Sequence, residues 1–203
     1  MNDLEARILD AALRVFSLNG VKRTSMSDLC EEAGVSRQTL YNRFRNKDDI
    51  LRGLIGHYTD IAIEEIAQAM PDRASLSEKL DLVFQCMVID GYDTVQAMPH
   101  AQDFIDGVNA VSAEALEASA SRFRAVIAEI LTPHEAAFRR AGLSIDELSD
   151  FVQRAAKSAG IHARDRAHLI RQLRTLRLLC LGAASEDGPD KTPLKESRHA
   201  QGH

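Results

Sequence analysis

At 203 residues, with 45% apolar and 27% charged residues, the chain is long enough to bury its own core as one domain or as a small module fused to a larger one. No run of eighteen apolar residues occurs, and Met1–Glu5 carries acids without a signal-like apolar core, so the expectation is a cytoplasmic protein with no membrane partner. The net charge of −5 argues against wholesale nucleic-acid binding. Cys30, Cys86 and Cys180 stand far apart, which suggests neither a disulfide framework nor a zinc site and leaves all three as small core residues.

The charge is unevenly placed. Residues 1–52 hold nine basic and eight acidic side chains, residues 53–150 six and seventeen, and residues 151–203 ten and five. Between Gly20 and Lys47 six basic residues face three acids, a stretch able to meet phosphates. Five prolines and eleven glycines leave long stretches free to be helical, and no alternating strand pattern appears, so the expected fold is all-α.

Leu4, Ile8, Ala11 or Ala12, Val15 and Leu18 recur at helical spacing, with Asn19-Gly20 as a stop signal. Ser25 with Asp28 three residues on predicts a capped second helix ending at Gly34. Val35 is read as a buried turn residue, and Ser36 as the cap of a third helix from Arg37 to Phe44. Asn46 caps a fourth, long helix that runs to Pro71 and joins head to body. Beyond it, helices are predicted at about 76–90, 100–107, 112–131, 134–141, 144–159 and 163–183, punctuated by Gly91, Pro99, Gly107, Pro133, Gly142 and Gly160. From Ser185 the composition turns polar, which predicts a disordered tail over 185–203. The domain reading is therefore a head at 1–48, a body at 49–184 and the tail.

Two short helices flanking Ala33-Gly34-Val35-Ser36 have the spacing of a helix-turn-helix, whose second helix enters the DNA major groove. Arg37 and Gln38, just after the cap, sit where base edges are read: arginine suits guanine O6/N7 and glutamine suits adenine N6/N7. The segments Ile8-Leu9-Asp10-Ala11-Ala12, Phe16, Gly20, Thr24-Ser25-Met26, Ala33 to Ser36, Thr39-Leu40-Tyr41 and Phe44 to Lys47 together resemble the head of the tetracycline-repressor (TetR) family over residues 7–52. Departures at Cys30, Gln38 and Asn42-Arg43 suggest a packing change and an operator particular to this protein. The resemblance implies phosphate contacts from Thr24, Ser25, Tyr41 and Lys47, and groove-facing Arg37, Gln38, Thr39 and Asn42, with Ser36 at the helix start. A half-buried core role for Tyr41 and a solvated one for Lys47 remain open.

The body resembles the family only in general character. Leu169, Leu173, Leu176, Leu179 and Cys180 form one stripe and Leu148, Phe151 and Val152 another, expected to build a four-helix homodimer interface or, in the alternative, to cover the chain's own core. By the resemblance, an effector sits among the middle helices. Phe84, Met87, His100, Asp103, Phe104 and Phe123 are the candidate contacts, with core packing as the alternative for the apolar ones. With no tryptophan and three tyrosines, an aromatic cage for a quaternary cation is poorly supplied, so a largely apolar effector is expected.

No metal or other cofactor is expected, since His162 and His168 do not share a helical face. No phosphate loop, nucleophile elbow or paired metal-ligand motif points to an enzyme. The leading function is a repressor released from a palindromic double-stranded DNA operator by a small molecule. A DNA-binding architectural or partner-recruiting protein without such a switch is the alternative.

Overall fold

The computed structural model describes residues 3–111 and 113–185, so the predicted tail lies outside the described residues except for Ser185. Among the described residues the chain is all-α, with no strand. The helices are α1 (Asp3–Asn19), α2 (Met26–Ala33), α3 (Arg37–Tyr41), α4 (Lys47–Ala69), α5 (Leu76–Phe84), α6 (Asp90–Gln96), α7 (Ala101–Val111), α8 (Ala113–Leu131), α9 (Glu135–Arg140), α10 (Ile145–Ile161) and α11 (Arg166–Ala184).

Two hydrophobic cores form. The first gathers Ile8, Leu9, Phe16, Leu29, Leu40 and Phe44 with Ile50, Leu51 and Leu54 of α4, and Phe104, Val108 and Val111 of α7 lean on it. The second lies in the body, where Ala62 and Ile66 from the far half of α4 meet α5, α8, α10 and α11. One helix, α4, thus contributes to both cores. No helix among the described residues is long and apolar enough to cross a membrane.

Several predicted stops are not stops. The helix expected to end before Gly91 relaxes at Gln85–Ile89 into one wide π turn, closed by the Asp90 N–H donating to the Gln85 carbonyl, and continues to Gln96. Gly107 and Gly160 lie inside α7 and α10. A Cβ on Gly107 would stand 3.3 Å from Val21, and one on Gly160 2.8 Å from Val88, so these glycines admit a neighbouring element rather than break a helix. In the head, α3 ends at Tyr41, three residues early, because a tight turn in which Phe44 N–H donates to the Leu40 carbonyl swings Phe44 into the core. Leu18, read as part of the buried stripe of α1, faces outward at 68% exposure, and Val35 is half-buried.

Candidate nucleic-acid interface and body cavity

The head is held by its caps. Ser25 Oγ accepts from Asp28 N–H at 3.2 Å while the Asp28 carboxylate accepts from Ser25 N–H at 2.7 Å, and the Ser25 N–H first and its hydroxyl second hold the Asp28 carboxyl below its usual range. Gly34 takes φ +64°, and Val35 N–H donates back to the Cys30 carbonyl, which reverses the chain within three residues. Ser36 Oγ accepts from Thr39 N–H and opens α3. That short helix buries Leu40 and leaves Arg37, Gln38, Tyr41 and Asn42 exposed on one projecting edge, with Ser36 and Ser25 exposed nearby. Arg37 donates to Ser27 Oγ at 2.7 Å, so its guanidinium is steadied by α2 with other donors remaining.

Two residues expected at phosphates also hold the chain itself. Thr24 is buried, and its hydroxyl donates to the Gly20 carbonyl at 2.7 Å. The Lys47 ammonium donates to the Val21 carbonyl at 2.6 Å and the Lys22 carbonyl at 3.3 Å. Both side chains brace the turn between α1 and α2, because that turn leaves carbonyls without helical partners that need donors.

A cavity of about 490 Å³ opens in the body between α4, the π turn, α6, α7, α8 and α10. Its wall is mainly apolar and includes Leu54, Tyr58, Met87, Met98, Phe104 and Phe123. Polar groups are few. Thr59 Oγ1 donates to the Ile55 carbonyl and pairs at 2.7 Å with Ser119 Oγ, which fixes Ser119 as the donor of that pair. Lys157 projects from α10, and Glu65 and Asp90 stand at the exposed side beside Cys86. The Cys86 thiol is pushed up to about 11, first by burial and then by these two carboxylates, so without a bound cation it stays protonated.

Of the six residues expected to contact a ligand, Met87, Phe104 and Phe123 line the cavity. Phe84 packs in the body core. His100 and Asp103 are elsewhere, because the start of α7 abuts the head: His100 Nε2 is bonded to the Arg23 guanidinium, and the Asp103 carboxylate accepts from Lys22 N–H at 3.0 Å and lies 3.5 Å from its ammonium. The Lys22 backbone bond holds the Asp103 carboxyl below its usual range. Sequence reading missed Lys157, Thr59 and Ser119; a lone lysine among Ala155, Ala156, Ser158 and Ala159 was the available signal for the first.

The α10/α11 stripes are corrected in the same way. Leu148, Val152, Leu169, Leu173, Leu176 and Cys180 are all buried within this chain's own core, since α11 seals α5, α9 and α10 with them. Phe151 and Leu179 of the expected stripes stay outside, at 58% and 63% exposure, accompanied by Leu178 at 52%.

The attachment of α7 to the head has a direct mutational consequence. Gly20 ends α1 at φ +78°, and a Cβ there would lie 2.7 Å from Asp103 Oδ2. Gly20→Ala is expected to cost about 1–3 kcal/mol by forcing a left-handed alanine against that carboxylate. Thermal unfolding should show a lowered Tm; an unchanged Tm contradicts the tight packing of this turn.

Residues 8–54 match the family model described as bacterial regulatory proteins, tetR family. The likeness to the tetR family is that of the head alone. The fatty acid metabolism regulator protein of Bacillus subtilis is 36% identical over 77 residues, which are 38% of this chain and 40% of that protein. The regulator TtgR of Pseudomonas putida is 40% identical over 53 residues, 26% of this chain and 25% of that one. The match thus spans less than half the length of either relative.

In three dimensions the fatty acid degradation regulator FadR of Bacillus halodurans superposes with TM-score 0.62 at 17% identity, covering 87% of this chain and 97% of that one. The regulatory protein TetR of Rhodobacter sphaeroides gives TM-score 0.62 at 16% identity, with 85% and 96% coverage. At such identity the likeness establishes the fold of the body: a helix-turn-helix head on a helical frame.

Proposed function

We propose that the protein is a homodimeric, sequence-specific transcription regulator, a repressor that leaves a palindromic double-stranded DNA operator when a largely apolar small molecule enters the body cavity. The observation that carries this reading is the double role of α7. Phe104 and Val108 of α7 form part of the cavity wall, while Asp103 of the same helix grips Lys22 and its Gly107 receives Val21 of the head. Filling the cavity displaces a helix that is directly bonded to the DNA-reading module, and α4, which also lines the cavity, carries the same displacement into the head core.

The head, residues 1–48 in this reading, contacts phosphates through Tyr41 and the Ser25 hydroxyl, and reads bases through Arg37 and Gln38, with Thr39 and Asn42 facing the groove. The body from 49 to 184 carries the cavity and the exposed Phe151, Leu178 and Leu179 that pair it with a second copy. A partner-recruiting body without a switch is less well supported, because a cavity of this size and lining falls in the small-molecule range.

A tenfold loss of operator affinity on ligand binding requires about 1.4 kcal/mol of coupling. Asp103→Ala removes one link of the coupling while leaving the cavity wall and α3 intact. Operator titrations by fluorescence anisotropy should show near-normal affinity without ligand and a reduced ligand response; a full response in the variant refutes transmission through this contact.

A further inference from the structure

The cavity holds an unusual polar group. Lys157 lies on α10, and its ammonium reaches inward to donate to the Met87 carbonyl of the π turn at 3.0 Å, 5.8 Å from the centre of the Phe123 ring. An ammonium has three donors, and this carbonyl accepts one. No ion pair involves Lys157 among the described residues. Burial alone pushes its pKa down, with no carboxylate opposing the shift. A desolvated ammonium without a counter-charge is costly, and an anion that enters and pairs with it recovers that cost.

The rest of the wall limits what that anion is attached to. Tyr58, Met87, Met98, Phe104 and Phe123 surround an apolar space that favours an apolar body. Glu65 and Asp90 stand together at the exposed side, their carboxylate oxygens and the Cys86 sulfur within 4.8 Å of one another. Two acids there repel a second anionic end, and in particular a ligand that leaves phosphates at the opening.

We infer that the cavity binds an apolar monocarboxylate with its carboxylate turned inward onto the Lys157 ammonium and its hydrocarbon body against Met87, Phe104 and Phe123. This rests on reading the cavity as the effector site and goes further by naming the ligand's head group and its orientation. A neutral ligand of the same shape leaves the ammonium unpaired and binds less well. A coenzyme A thioester, which has no free carboxylate and brings phosphates past Glu65 and Asp90, is disfavoured at both ends.

Calorimetric titration of the full-length protein with hexanoate, decanoate and 2-naphthoate, each beside the alcohol of the same skeleton, and with decanoyl-coenzyme A tests this. At least one acid should bind about tenfold to a hundredfold more tightly than its alcohol, the difference expected of one charge-assisted contact. Lys157→Met, which keeps an unbranched stem, should bring the acid down to the level of its alcohol and leave the alcohol unchanged. Decanoyl-coenzyme A should bind more weakly than decanoate.

The inference is overturned if no acid outranks its alcohol, if Lys157→Met leaves the acid affinities unchanged, or if the thioester binds most tightly. Should Lys157→Met fail to fold, the ranking of acid over alcohol in the unaltered protein decides by itself. An acid that binds through Lys157 but leaves operator affinity untouched supports this ligand class and refutes instead the ligand-released repressor.

Discussion

Replacing Phe151 and Leu179 together by glutamate is expected to dissociate the proposed dimer into monomers in sedimentation experiments without unfolding it. Both side chains are more than half exposed in the single chain, so neither is needed by the body core, whereas Leu148, Val152, Leu169 and Leu173 are buried inside it. In a two-fold assembly each substitution acts twice, and four large apolar groups lose a dry partner while four charges need desolvation. The dissociation constant should rise by about a thousandfold or more, on the order of 4 kcal/mol, which is a conservative share of the burial of four such side chains. The paired control is Leu173→Glu, which should unfold the body instead of dissociating it. If the double variant remains a dimer, the copies meet on another surface.

The second large effect lies in the head. Arg37→Ala and Gln38→Ala should each cost about 1–3 kcal/mol of discrimination at one base position per half-site, that is, roughly tenfold to a hundredfold in preference. Tyr41→Ala should weaken binding to all sequences about equally, because a phosphate contact sets register without reading sequence. Titration of each variant against the preferred site and against single-base changes separates these patterns. Equal loss on every sequence for Arg37→Ala would reassign Arg37 to the backbone and leave Gln38 as the reader.

The contrast between head and body shows what a sequence exposes. The head was legible because its determinants are local: Ser25 with Asp28, Gly34 at the turn, Ser36 before Arg37 and Asn46 before Lys47 each satisfy backbone groups a few residues away. Thr24 and Lys47 also each hold a backbone carbonyl of the turn, Gly20 for Thr24 and Val21 and Lys22 for Lys47, which spacing alone does not reveal. The body depends on contacts across the chain. An apolar stripe such as Leu169, Leu173 and Leu176 has the same spacing whether it faces its own core or a second copy, and only packing distinguishes the two.

The cavity was half-legible for the same reason. Its wall joins Leu13 and Leu54 to Lys157 and Phe123, residues from segments that no local periodicity connects. His100 is among the expected ligand contacts, yet the fold sends it to Arg23 of the head. Gly107 and Gly160 were read as punctuation because glycine usually breaks helices, and their role in admitting Val21 and Val88 exists only in three dimensions.

The most direct test of the account is recovery of genomic DNA by the purified, dimer-verified protein, followed by recovery with Arg37→Ala and Gln38→Ala. A ligand-released repressor of this build enriches a palindrome whose half-sites lie about one helical turn apart and whose base preference relaxes at single positions in each variant. Enrichment of no particular sequence by a folded dimer, at a salt concentration where it still binds DNA, would contradict it.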